Sequence, residues 1–188
     1  MTQRGQAMGV LRVVPIHCGT RAPLLGPLGE RLQKTFGLEV RHSPPGFDCE
    51  IAFDESRGQY NSRVLLAQLL QDTPPEVSRV LGVAGVDLFI PVLTYVFGEA
   101  QLGGRAAVVS LHRLDDEIYG LPPNPKRLSQ RLDKEAVHEL GHTFNLVHCH
   151  HDQCVMASST YVEEIDLKSD RFCATCLAAV RAAVGHTG

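Results

Sequence analysis

The sequence predicts an α/β fold of the α+β kind, in which helices cover a mixed and largely parallel sheet. Apolar segments typical of buried strands alternate along the chain with amphipathic helical segments. The chain has 188 residues, 44% of them hydrophobic, which is enough for one core. We therefore expect a single domain over residues 1–188, with a flexible start at residues 1–9. Residues 1–145 would form an N-terminal subdomain and residues 146–188 a small C-terminal one.

The first half of the chain alternates strand and helix signals. Residues 10–16 are a predicted buried strand, because they are mostly apolar and rich in β-branched side chains, and residues 38–42 are a predicted second strand. A short helix is expected between them, over residues 24–36. A second amphipathic helix follows over residues 61–70 and is ended by two consecutive prolines.

Two further strands are predicted in the middle of the chain, over residues 80–90 and 105–114. Gly82 and Gly85 lie inside the first of them, which indicates a bulge or a close backbone contact. A glycine pair opens the second strand.

A long helix is predicted after the proline-rich stretch at residues 122–125. It can begin anywhere from Asn124, with Pro125 in the first helical position, to Ser129. Every fourth residue is then apolar, which predicts one buried face. This face consists of Leu128, Leu132, Ala136, Leu140 and Phe144.

Residues 138–142 of this helix read HELGH, a pattern typical of zinc sites. On a helix His138 and His142 lie about 6 Å apart along the axis and share a face, so both imidazoles can bind one ion. That face is opposite the apolar one, so the histidines are expected in a cleft. Glu139 would then lie beside a zinc-bound water and could take its proton.

His148 is the predicted third ligand, although an unbroken helix would turn its side chain away from the other two. The chain must therefore reverse after Phe144. Asn145 suits this reversal, because asparagine adopts the left-handed conformation more readily than other non-glycine residues. In the alternative, the helix runs on and His150 or His151 replaces His148.

Four cysteines then follow with the spacing of a closed zinc site, CxxxxC and CxxC. Ser169 or Asp170 is expected to cap a C-terminal helix that reaches Ala183, with the second cysteine pair in its first turn. The helix dipole favours thiolates there. The four residues are Cys149, Cys154, Cys173 and Cys176.

Two disulfides are the competing interpretation of these cysteines. The remaining two, Cys18 and Cys49, have no partner spacing and are expected to be buried thiols. Together with the lack of a recognisable signal peptide, this favours a reducing compartment and a cytoplasmic protein. Because His148 and Cys149 are neighbours, we also expect the cysteine site to fix the loop that carries the third histidine.

The stretch HELGHTFNLVHCHHDQCVM, followed by FCATC, resembles the archaemetzincin family of zinc metallopeptidases. That family is characterised by the motif HExxHxxGxxH, which is followed directly by a cysteine and then by xxxxCxM. A CxxC pair comes later in the chain. The resemblance extends upstream through YGLPPNPKRLSQRLDKEA and FGEAQLGGRAAVVSLHRL, so it covers at least residues 97–176. The chain departs from the family pattern at Asn145, where the family has glycine.

The resemblance implies a metzincin-like fold, with a twisted mixed sheet, covering helices and an active-site helix. It also implies a small C-terminal subdomain that is held together by zinc. It implies two zinc ions per chain and peptide-bond hydrolysis, with an aminopeptidase-type preference in some members. Glu139 would be the general base, and Met156 would form the Met-turn beneath the metal. The catalytic ligands would be His138, His142 and His148, and the structural ones Cys149, Cys154, Cys173 and Cys176.

The resemblance also concerns the segment 98–110, which is similar to the edge strand along which metzincins bind substrate. Val108, Val109 and Ser110 would then either face the substrate or pack in the core.

Composition and charge limit the classes of partner that the chain is expected to bind. The formal net charge of −3 provides no basic surface for nucleic acid, and no apolar run approaches a membrane span. A peptide or protein substrate is the expected partner; the oligomeric state is left open, and a monomer is compatible with the sequence. A second function class is a zinc-stabilised peptide-binding protein of the same fold with weak or no turnover. Glu139 favours the enzyme, since a binding protein needs no carboxylate beside the water.

Overall fold

The protein is described here by a computed structural model that covers residues 9–185, so the flexible start expected for residues 1–9 lies outside it apart from Gly9. The strands in this part of the chain are β1 (Val10–Ile16), β2 (Glu39–His42), β3 (Phe53–Asp54), β4 (Gln59–Asn61), β5 (Arg79–Ala84), β6 (Leu88–Ile90), β7 (Leu93–Val96), β8 (Gly98–Ala100) and β9 (Ala106–Ser110). The α-helices are α1 (Leu25–Phe36), α2 (Ser62–Gln71), α3 (Pro125–Thr143), α4 (Val162–Leu167) and α5 (Ala174–Gly185).

The main sheet has five strands in the order β2-β1-β5-β9-β8. The first four run parallel, and β8 pairs antiparallel with β9 at the edge. Helices α1, α3 and α5 share one hydrophobic core with one face of this sheet, and α2 shares a second core with the other face. Burial on both faces explains why β5 and β9 are apolar without alternation. The predicted mixed α/β fold is confirmed.

A second sheet of four short strands, in the order β3-β4-β6-β7, was not predicted. The predicted single strand over residues 80–90 is wrong, because β5 and β6 belong to different sheets. The break begins at Gly85, where a Cβ atom would lie 2.2 Å from the carbonyl oxygen of His17. Beyond it, Arg113 binds the Asp87 carboxylate with two hydrogen bonds, of 2.9 and 2.6 Å, and fixes the turn.

Several strands and helices begin or end at other residues than the sequence predicts, because the chain turns there. The strand expected over residues 105–114 ends at Ser110, whose hydroxyl accepts a hydrogen bond from the His112 amide and starts a 3-10 turn. Helix α1 begins after a 3-10 turn over Gly19–Leu24 and ends at Gly37, which has a φ of 70°. The C-terminal helix begins at Ala174, so Cys173 precedes it and neither Ser169 nor Asp170 caps it.

Helix α3 has the start that the proline-rich stretch predicted. The side chain of Asn124 accepts a hydrogen bond of 3.0 Å from the Arg127 amide, and Pro125 occupies the first turn. The predicted apolar face is buried along its whole length. None of the helices in the described part of the chain is long and apolar enough to cross a membrane.

Candidate metal centre

The last turns of α3 bring His138 and His142 together, with their Nε2 atoms 3.1 Å apart. The Nδ1 atoms lie 2.9 Å from the carbonyl oxygen of Val155 and 2.7 Å from that of Leu146. Because a carbonyl oxygen only accepts, both Nδ1 atoms carry the proton and both Nε2 atoms offer a lone pair.

Burial keeps these two imidazoles neutral, since it lowers the pKa of His138 well below its usual value and also lowers the pKa of His142. Two lone pairs that face each other at this distance repel unless a cation lies between them. The pair therefore fits a metal ion, and the Val155 and Leu146 carbonyls fix the ring orientation as outer partners of zinc-binding histidines do.

The third histidine reaches the same place because the chain reverses at Asn145. This residue has a φ of 67°, in the left-handed region predicted for it. The amides of Asn145 and Leu146 donate to the carbonyl oxygens of His142 and Gly141, at 2.9 and 3.2 Å, and so close the helix end. The ring centroid of His148 then lies 5.3 Å from that of His138 and 5.1 Å from that of His142.

The side-chain nitrogens of these three histidines form one of the two groups of potential metal ligands in the described residues. His150 and His151 do not belong to it. The Nδ1 atom of His151 instead accepts a hydrogen bond of 3.2 Å from the Gln153 amide. The alternative in which either of them replaces His148 therefore has no support in the structure.

Glu139 lies beside the histidines and against the edge strand β8. A Cβ atom on Gly98 would lie 2.6 Å from Cγ and 2.8 Å from Oε1 of Glu139, so only glycine leaves room for this side chain. Burial, together with the nearby Glu135 carboxylate, raises the pKa of Glu139 well above its usual value. Such a carboxyl group binds a proton more readily than an exposed one.

The suggestion that Val108, Val109 and Ser110 face a substrate is wrong. All three are completely buried in β9, which lies inside the main sheet between β5 and β8. The edge strand on this side of the sheet is β8, which is three residues long.

The four cysteines of the C-terminal segment form the second group of potential ligands, with their Sγ atoms all within 4.8 Å of one another. The Sγ atoms of Cys149 and Cys173 are 3.9 Å apart, too far for a disulfide bond, and all six cysteines in the described residues are free. The backbone N–H of Cys176 lowers the pKa of Cys173 to about 7. Four converging sulfur atoms, one of them readily ionised, are a donor set that fits zinc.

Met156 is completely buried beneath α3. A Cβ atom on Gly141, between the two helical histidines, would lie 2.5 Å from its Sδ atom, so helix and methionine are in direct contact. The structure thus places Met156 against the helix that carries His138 and His142.

An ion pair near the site was not predicted from the sequence. The ammonium group of Lys168 lies 2.9 Å from Oε1 of Glu135 and donates to the carbonyl oxygen of Ala157 at 3.1 Å. Both side chains are nearly completely buried. Glu135 precedes Glu139 by one helical turn, so the helical period could have placed it on the same face. No local signal links Lys168 to the site.

Two cavities, of about 440 and 380 Å³, meet at Gly98, His138, Glu139 and His148 and together form a cleft across the site. The first cavity lies between residues 93–98 and residues 158–161 and also contacts Glu135. The second lies along residues 98–102 and is bordered by His142 and Val147. The sequence expectation of histidines facing a cleft is confirmed.

Comparison with known proteins gives consistent results. The model of Peptidase family M54 matches residues 45–182. An archaemetzincin of Methanocaldococcus jannaschii is 46% identical over 149 residues, which are 78% of this chain and 81% of that protein. The crystal structure of an archaemetzincin from Methanopyrus kandleri matches with a TM-score of 0.85 and 34% identity, over 99% of this chain and 100% of the other. A zinc-dependent peptidase from Methanocorpusculum labreanum matches with a TM-score of 0.80 and 28% identity, over 90% of this chain and 99% of that chain.

Proposed function

The chain belongs to peptidase family M54, the family of the archaemetzincins, and on this premise we propose that it hydrolyses peptide bonds with Glu139 as the general base. The observation that carries this proposal is the position of Glu139, between the converging histidines and the edge strand β8. A protein that only bound peptides would have no need of a buried carboxyl group at this point.

We assign the catalytic zinc to His138, His142 and His148. Zinc supplies Lewis acidity, which lowers the pKa of a coordinated water to about 7 and polarises a carbonyl group. The carbonyl partners of the two helical histidines hold their Nε2 lone pairs toward one point. Asn145 supports this set by reversing the chain, and Met156 supports it by packing beneath α3.

Glu139 would move the proton in both halves of the reaction. Its position beside the converging histidines suits a group that takes a proton from water and then delivers it to the leaving amine. The peptide would lie along β8, because an edge strand offers backbone N–H and C=O groups for pairing with an extended substrate.

The four cysteines would hold a second, structural zinc ion, which makes two zinc ions per chain. Their spacing in the sequence and the convergence of their Sγ atoms support this part of the proposal. Because thiolate ligands require a reducing compartment, we also propose a cytoplasmic location.

Digestion of a peptide library by the wild type and by the Glu139→Ala variant tests the proposal, with zinc content measured on both proteins. We expect cleavage by the wild type and none by the variant, at two zinc ions per chain in each. Glu30→Ala, at an exposed position on α1, is the matched control and should cleave as the wild type does. Parallel peptides with acetylated amino termini test the aminopeptidase-type preference, which predicts that acetylation prevents cleavage.

Two results would count against this assignment. Cleavage that persists in Glu139→Ala would exclude Glu139 as the base. A wild type that binds zinc and peptides but cleaves none would instead favour the zinc-stabilised peptide-binding protein.

A further inference from the structure

The second cavity of the cleft, of about 380 Å³, begins at the histidines and extends along the turn between β8 and β9. Two large apolar side chains border it and have no role in the proposed hydrolysis. Leu102 lies in that turn, Val147 directly precedes His148, and the two are 57% and 65% exposed. A single exposed apolar residue is common on protein surfaces. Two of them at one concave site beside metal ligands are typical of a ligand-binding groove.

Small side chains on β8 leave the space that this cavity occupies. Successive side chains of a strand point to opposite faces of the sheet. A Cβ atom on Gly98 would meet Glu139 of α3, and Ala100 packs against the core that α3 shares with the sheet, so both residues face α3. A larger side chain at either position would fill the gap between the edge strand and the end of this helix.

The part of the cavity that lies away from the histidines offers no charged partner. Among the described residues that line it there is neither lysine nor arginine. Glu99 is the one acidic residue of the lining besides Glu139, and it belongs to the opposite face of β8. Its carboxylate already accepts hydrogen bonds from the Ser62 hydroxyl and, at 3.3 Å, from Arg63, both on α2. An uncharged ligand group therefore fits this cavity best.

The backbone on both sides of the cavity is anchored to the metal centre. In the turn between β8 and β9, the amide of Gly103 donates a hydrogen bond of 2.9 Å to the carbonyl oxygen of His142. Val147 lies between Leu146 and His148 in the chain, and the Leu146 carbonyl oxygen is the partner of His142 Nδ1. The two apolar side chains therefore keep a fixed position relative to the histidines, as a specificity site requires.

The proposed path of the peptide leads into this cavity. A peptide that pairs with the edge strand β8 continues its pleat, so the side chain opposite Ala100 points to the same face of the sheet as Ala100 does. That side chain would lie in the second cavity, in contact with Leu102 and Val147.

We propose that the second cavity binds an uncharged, apolar side chain of the substrate, and that Leu102 and Val147 determine this specificity. The inference rests on the proposed peptidase function and adds a substrate class to it. Gly98 lies beside the proposed base and Ala100 lies two residues further along β8, so the bound side chain belongs to one of the two positions next to the scissile bond. It lies on the amino-terminal side if the peptide runs antiparallel to β8.

The test compares peptides that carry leucine or asparagine at each of the two positions on either side of the scissile bond, since these side chains are similar in size and differ in polarity. For the wild type we expect kcat/KM to be about tenfold higher with leucine at one position, as partial burial of this side chain predicts. In Leu102→Asn/Val147→Thr the ratio at that position should approach one. Leu167→Asn, at a 75% exposed position that borders neither cavity, is the control and should keep the wild-type ratio.

Two results would overturn the inference and leave the peptidase function intact. The first is equal cleavage of the leucine and asparagine peptides by the wild type at every position. The second is a leucine preference that the double variant keeps, because such a preference would arise in the first cavity.

Two further measurements keep the test decisive. Val147 adjoins a proposed zinc ligand, so the zinc content of the double variant is measured; if zinc is lost, Leu102→Asn alone should still show a lower ratio than the wild type. Binding of the same peptides to zinc-loaded Glu139→Gln does not depend on turnover. Binding of the leucine peptide that is about tenfold tighter, and that Leu102→Asn weakens, supports the inference even if the wild type cleaves nothing. Equal binding of the two peptides contradicts it.

Discussion

The backbone amide of Cys149 donates a hydrogen bond of 2.9 Å to the carbonyl oxygen of Met156. This bond closes the segment that connects the two groups of metal ligands. Cys149 belongs to the thiol group, Met156 contacts Gly141 between the helical histidines, and Val155 accepts the Nδ1 hydrogen bond of His138. Both groups are therefore held by one short stretch of chain.

The first prediction follows from this shared segment. In Cys154→Ser, loss of the structural zinc should release the segment and weaken zinc binding at the histidines by about tenfold to hundredfold, as loss of supporting contacts does at other metal sites. Competition with a chelator, followed by metal analysis, measures this affinity. Cys49→Ser, which alters a buried thiol in the other core, should keep both ions. Unchanged affinity at the histidines in Cys154→Ser would show that the two sites are independent.

The second prediction concerns the contact between Gly98 and Glu139. In Gly98→Ala the new methyl group would lie 2.6 Å from Cγ of Glu139 and 2.7 Å from the Val108 carbonyl oxygen, so either the base or the edge strand must move. We expect a loss of about 1–3 kcal/mol in the free energy of unfolding and a large fall in kcat. Gly26→Ala is the control, because nothing lies within 4 Å of the added methyl group. Wild-type kcat in Gly98→Ala would contradict the assigned position of Glu139.

The third prediction concerns the left-handed residue Asn145. Alanine at this position should lower the free energy of unfolding by about 1 kcal/mol relative to glycine, because a Cβ atom without a compensating polar group is strained at this φ. Urea unfolding of Asn145→Gly and Asn145→Ala measures the difference directly. We expect Asn145→Gly to bind zinc at least as well as the wild type. If both variants have equal stability and zinc affinity, the turn does not depend on this conformation.

The fourth prediction is a pH dependence. Burial raises the pKa of Asp133 to about 6, above its value in the unfolded chain. The folded protein then binds this proton more tightly, so Asp133 contributes stability at low pH that is lost as the pH rises through about 6. The free energy of unfolding of Asp133→Asn, measured relative to that of the wild type, should therefore be higher at pH 7.5 than at pH 4.5.

Unfolding free energies of both proteins at the two pH values give this difference, in which the other titrating groups cancel. Asp54→Asn is the control and should show almost no difference between these two pH values, since the Ser56 hydroxyl holds the pKa of the Asp54 carboxyl below its usual value and the group is ionised at both. A difference for Asp133→Asn that is the same at both pH values would show that this carboxyl is not perturbed.

Local patterns were sufficient where neighbours in the chain are also neighbours in space. The period of α3, its Asn124 start, the adjacent histidine pair and the left-handed Asn145 all depend on contacts within a few residues. The break between β5 and β6 was missed because it depends on the His17 carbonyl, which lies about seventy positions earlier in the chain. The substrate-facing suggestion for β9 failed because the order of strands in a sheet is not a local property.

The sequence by itself determined the fold class, the two sets of potential zinc ligands and the carboxyl group proposed as general base, because helical periodicity and ligand spacing are encoded in consecutive residues. Only the tertiary structure decided that β8 is the edge beside Glu139 and that Lys168 faces Glu135. The physical reason is that these contacts form only when elements distant in the chain pack together to bury apolar surface. No short-range pattern records which polar groups that packing brings into contact.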